Sequence, residues 1–246
     1  MAHPKETAER FATELGSLFG PRLRSVVLHG SVARGEAIPG VSDINVLVLL
    51  DSVDPAALRI ASAAARRWVE SGNTAPLVAS WHEWEESADA FAIEVADMRD
   101  SHVVLRGSDP ISHLPEDRVS LRLQAERELR GKLISLRTGL LLSAERPDEI
   151  GRLLLRALPS FSTYFRAILR LDGRKPPART EDVIDEAARL ARFDPAPLLR
   201  VWEARRAGHG KQPLKLAVDD PVTIGYYAAV ARATEHVDSL SEANPA

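Results

Sequence analysis

Three features in and beyond the stretch LHGSVARGEAIPGVSDINVLVLL, Leu28 to Leu50, have side chains suited to phosphate and cation chemistry. Gly30-Ser31 directly follows an apolar run. A glycine there lets a polyphosphate approach the backbone, successive N–H groups can form an anion nest, and the serine hydroxyl adds a donor. Asp43 and Asn45 come next, two apart and so on one face of a strand. Asp43 can ligate a hard cation through a charged oxygen, and Asn45 can do so through a neutral one. The third feature is Glu94, in FAIEVAD. The alternation of Phe91, Ile93 and Val95 predicts a strand that turns Glu94 to the opposite face, among the small Ala92 and Ala96. By the same parity Asp97 points with the apolar side chains, so Glu94 is expected as the third group. Three oxygen-bearing groups facing a phosphate-binding turn describe magnesium-dependent phosphoryl or nucleotidyl transfer. The plainer reading is a strand-ending turn at Gly30-Ser31 and a solvated Glu94.

The elements that must position these residues form an alternating series. Residues 4–19 read as an amphipathic helix stopped by Gly20-Pro21. LRSVVLHG and DINVLVLL read as strands, the second apolar enough to lie inside a sheet. Asp54-Pro55 is a cap and first-turn pair for a helix to about Ser71. APLVAS is a third strand, Ser80 and Glu83 suggest a capping box, AFAIEVAD is a fourth strand and HVVLRG a fifth. From about residue 116 strand signals give way to long helices over 116–144, 148–171, 180–207 with a break near Asp194-Pro195, and 221–240. The arginines of 118–137 read as a solvated face with Glu126–Arg130 and Glu128–Lys132 pairs. The fold class expected is thus a small α/β (α+β) domain with a mixed sheet, residues 1–112, followed by an all-α helical bundle, residues 113–246.

Composition narrows the partners. At 246 residues, 45% hydrophobic and 27% charged, the chain reads as an ordinary globular protein. A net charge of −3 and a pI near 6.2 argue against a nucleic-acid partner. The absence of cysteine removes disulfides, thiolate metal sites and cysteine nucleophiles, and fits a reducing compartment. With no apolar leader and no membrane-length apolar run, the expected location is the cytoplasm, with no membrane partner.

Gly30, Ser31, Arg34-Gly35, and Ser42 before Asp43 and an apolar strand together resemble the signature of the DNA polymerase beta-like nucleotidyltransferase superfamily. Asn45 stands where that signature has a second acid. The layout is similar to the streptomycin and kanamycin nucleotidyltransferase group. The resemblance implies a nucleotide site in a cleft between sheet domain and bundle. There Gly30 and Ser31 hold the triphosphate of ATP or another NTP, with Arg34 and Ser42 beside it. Asp43, Asn45 and Glu94 are implied as the catalytic and metal-binding set, for magnesium or manganese. It implies transfer of AMP to a hydroxyl of a small-molecule acceptor. The neutral Asn45 keeps open a second class, a weakened, regulatory or antitoxin-like protein of the same fold.

Overall fold

Helix α1 (Pro4–Phe19) starts where His3 caps it through its ring nitrogen and Pro4 occupies a position whose missing N–H costs nothing. The computed structural model describes residues 3–38, 42–208 and 214–240, in two compact units, Met1–Glu116 and Asp117–Ala246.

In the first unit, β1 (Leu23–His29), β2 (Asn45–Leu50), β3 (Leu77–Ser80) and β4 (His102–Gly107) form one sheet in the order β3-β2-β1-β4. β1 runs antiparallel to both β2 and β4, while β3 lies parallel to β2, so the sheet is mixed. Helix α2 (Pro55–Glu70) links β2 to β3 and is capped by Asp54, whose carboxylate accepts from the Ala57 amide at 2.6 Å. The short α3 (Trp81–Glu86) carries the full Ser80/Glu83 capping box. The interior position of β2 explains its unbroken apolar run, since Val46 to Leu50 are all buried.

Alternation divides the sheet's two faces. Val26, Leu28, Val46, Val48 and Leu50 pack against α1 and α2, around Phe11 and Trp68, whose rings stack 4.4 Å apart. Val27, Leu47 and Leu49 pack against Trp84, Val95 and Met98 on the other face. Gly107 closes β4 against β1. Its φ is +83°, and a Cβ there would stand 1.9 Å from the Arg24 carbonyl oxygen, so no larger residue fits.

One expected strand is a helix. Residues 92–100 form α4 (Ala92–Asp100), leaving four strands among the described residues. The alternation of Phe91, Ile93 and Val95 coexists with a second pattern, Ala92, Val95 and Met98 at helical spacing. The latter side chains are buried, whereas Phe91 is 37% exposed. Alanine, glutamate, methionine and arginine are also strong helix formers.

The second unit contains α5 (Arg118–Ser143), α6 (Pro147–Leu171), α7 (Thr180–Ala191), α8 (Ala196–Arg206) and α9 (Pro221–Ser239). The break near Asp194-Pro195 separates α7 from α8, and α7 ends on Arg192 in the left-handed conformation, φ +56°. Its core gathers Leu129, Leu154, Phe161, Phe165, Val201 and Tyr226, with Phe161 edge-on to Tyr226 at 5.8 Å. Glu126 bonds Arg122 and Arg130, at 2.9 and 3.1 Å. Glu128 instead accepts from the Tyr164 hydroxyl at 3.3 Å and lies 3.7 Å from Arg127, rather than engaging Lys132. None of the described helices is long and apolar enough to cross a membrane.

Candidate functional site

The turn after β1 is wound by its own backbone. The Arg34 amide donates to the Gly30 carbonyl at 3.1 Å, Gly35 to Val32 at 3.2 Å, and Glu36 to Ser31 at 2.8 Å. As at any helical turn, the first amides have no partner behind them. Among the described residues, the N–H groups of Ser31, Val32 and Ala33 donate to no backbone carbonyl. Gly30 makes the winding possible with φ +75°. Its Cα is covered by Asn45: a Cβ on residue 30 would lie 2.8 Å from Asn45 Nδ2. The two halves of the motif therefore meet directly, through a glycine that clears room for an amide.

That meeting follows from the strand register. Asn45 pairs with His29 across β1–β2, and His29 pairs with His102 across β1–β4. Side chains facing each other across a ladder share a face. Here it is the face that Val27, Leu47 and Leu49 present to α4. His102 Nδ1 lies 2.7 Å from the Met98 carbonyl oxygen, which ties the row to the end of α4. Burial drives the His29 imidazole down to about 4; nearby Asp97 opposes that shift and Arg34 adds to it.

The remaining expected site residues sit in distinct settings. Ser42 exchanges two bonds with Ile38, its amide to the Ile38 carbonyl and its hydroxyl accepting the Ile38 amide, both at 2.9 Å, and so closes the loop ahead of Asp43. Asp43 is exposed and accepts from the Thr74 hydroxyl at 3.3 Å. Arg34 does not extend into solvent: its Nη1 lies 2.7 Å from Asp97 Oδ2, with side-chain exposures of 14% and 13%.

Glu94 lies half-buried in the first turn of α4, so the strand parity expected to orient it does not apply. The same correction reaches Asp97. A strand would have pointed it among apolar side chains, whereas the helix directs it to Arg34 of the glycine turn. Asp97, which strand parity had turned away, and His29 are both neighbours of the turn. A helical reading of 92–100 places Glu94 and Asp97 three apart, on adjoining parts of one face.

The donor set can be compared with the magnesium ions that nucleotidyl transfer employs. Among the described residues, no three His, Cys, Asp or Glu side chains converge as a metal-holding group. Asp43 supplies one charge and Asn45 a neutral oxygen two residues on. This set fits one cation arriving with its nucleotide, whose phosphates supply further anionic ligands, and does not fit a pair of ions held by the protein.

Residues 8–108 match the family described as nucleotidyltransferase domain. Over those residues the first unit is similar to a nucleotidyltransferase domain. The match agrees with the nucleotidyltransferase resemblance drawn from Gly30, Ser31 and Asp43, all of which lie inside it. Among solved structures, the chain is similar to spectinomycin adenyltransferase AAD(9) from Enterococcus faecialis, determined with ATP and spectinomycin. Identity is 12%, the TM-score is 0.58, and the match covers 93% of this chain and 98% of that one. At that identity the likeness is one of fold, and it extends beyond the nucleotidyltransferase domain into the helical unit. A toxin-antitoxin structure with AMP-PNP matches 52% of this chain and 98% of its own at 20% identity, with a TM-score of only 0.31. No curated protein matches the chain.

Proposed function

We propose that the chain transfers a nucleoside monophosphate, AMP from ATP, to a hydroxyl of a small-molecule acceptor in the cytoplasm. The observation that carries this reading is the contact of Gly30 with Asn45 inside a nucleotidyltransferase domain. It brings the turn that carries the amides of residues 31–33 against the Asn45 side chain, two residues from Asp43, so a triphosphate on the turn would lie near the carboxamide and carboxylate of that segment. The AAD(9) structure, with its ATP and spectinomycin, supports a nucleotide donor and a small acceptor.

In this reading Gly30 and Ser31 hold the triphosphate, and Ser42 fixes the loop that leads into Asp43. Asp43 and Asn45 hold magnesium, or manganese in its place, which when bound neutralises phosphate charge. Glu94 is the proposed third group. The acceptor oxygen bonds to the α-phosphorus, the bond to the bridging oxygen breaks, pyrophosphate leaves, and Glu94 takes the hydroxyl proton.

A second reading draws on Asn45 itself: a nucleotide-binding regulator of the same fold, antitoxin-like, whose charge-poor donor set binds and does not turn over. Pyrophosphate release from each NTP, with magnesium and with manganese, over a panel of amino-sugar and polyol acceptors, separates the two. Acceptor-dependent release that Asp43→Ala abolishes and Asn45→Asp increases supports transfer. Tight NTP binding without release under every condition supports the regulator.

A further inference from the structure

Arg34 is tied to the glycine turn at one end and to α4 at the other. Its amide bonds the Gly30 carbonyl, and its guanidinium bonds Asp97. A guanidinium carries five N–H donors in a planar fork. Among the described residues Asp97 Oδ2 takes one of them, and Nε is buried with no partner. An arginine held this sparsely keeps donors for an oxyanion, and phosphate is the oxyanion that its fork matches. It stands in the same turn as the open amides of Ser31, Val32 and Ala33. Asp97, in turn, sets a carboxylate against that turn, opposing any anion that approaches.

We propose that Asp97 competes with ligand phosphate for Arg34, and that a bound triphosphate draws the guanidinium away and loosens α4 from the glycine turn. The proposal rests on the nucleotide-binding reading above and adds to it an affinity-setting residue outside the motif. The helix is built to tolerate the change. It has no side-chain cap at its N-terminus, while Val95 and Met98 anchor it in the core and the Met98 carbonyl engages His102. Release of Asp97 would therefore loosen the helix on its turn-facing side and leave it folded.

Titration calorimetry on the full chain with Mg-ATP, inorganic tripolyphosphate and adenosine tests the competition. Asp97→Asn keeps the shape and removes the charge. It should bind both phosphate ligands about tenfold more tightly than wild type, the scale of one nearby charge, and adenosine no differently. In the wild type, Mg-ATP should speed hydrogen exchange of the amides of residues 95–100. If the variant does not fold, this second measurement decides alone. Unchanged or weaker phosphate binding by Asp97→Asn overturns the proposal, as do α4 amides that Mg-ATP slows or leaves alone. If wild type binds Mg-ATP and these changes are missing, the competition fails and the nucleotide site stands. If no phosphate ligand binds either protein, both fall.

Discussion

Asp43 and Asp97 belong to two segments of the same domain, 28–50 and 91–107, and are held in opposite ways. Asp43 precedes a strand, faces solvent and has a threonine hydroxyl for company. Asp97 sits on a helix, is largely enclosed, and is clamped by an arginine. An exposed carboxylate with few bonds is available for a ligand at little structural cost. An enclosed one is part of the scaffold until something replaces its partner. The domain thus keeps a ready charge ahead of β2 and a stored charge on α4.

Mutations that strip the enclosed side should show it first. Arg34→Ala removes the guanidinium from an enclosed pair and should destabilise the chain by about 4 kcal/mol, the range for breaking such a pair from one side. The measurement is a shift in urea midpoint at unchanged slope. A shift no larger than that of a surface arginine would mean that Asp97 is not stored charge at all.

His29 provides the next largest effect. Its folded-state value is about 4 against an ordinary 6.5, so between those values the unfolded chain binds the extra proton. Stability is complete above 6.5 and falls as pH drops through this window, by about 3 kcal/mol in total. Urea unfolding from pH 7 to 4 should show this slope in the wild type and a much flatter one in His29→Gln. Equal slopes would place the acid sensitivity elsewhere.

Gly30→Ala should cost about 2 kcal/mol, because φ +75° strains any residue with a Cβ and because that Cβ meets Asn45. Adding Asn45→Ala should recover the steric share and leave the backbone share, read as a non-additive double-mutant cycle. Asp43→Ala lies at the other extreme. Its stability should change by less than about 0.5 kcal/mol, the norm for an exposed position, while magnesium-dependent nucleotide binding is lost. A large loss of stability there would erase the contrast between the two aspartates.

The two segments also differ in how plainly the sequence announces them. In 28–50 every level of pattern agrees: an apolar run, a glycine at positive φ, a serine closing a loop, and a second run buried on both faces. The capping box at Ser80 and the helix start at Asp54-Pro55 were legible for the same reason, since local hydrogen bonds decide them. In 91–98 two periods overlap over eight residues, and tertiary packing of Val95 and Met98 chooses between them. Local pattern cannot see that choice, and with it went the partnership of Asp97 and Arg34. That contact joins residues 63 apart in sequence.

The central place of β1 has a consequence for how the domain comes into being. Its second neighbour, β4, arrives late: Ser25 pairs with Gly107, which lies 82 residues further along. Until Gly107 has emerged during synthesis, β1 can zip to β2 on one side while its other edge, with Val26, Val27 and Leu28, stays open to foreign strands. Closing that edge spans a long loop, so sheet completion should be the slow step and the half-sheet the species most in need of chaperones. The strand that delivers the nucleotide turn is thus also the one whose folding the rest of the domain must wait for.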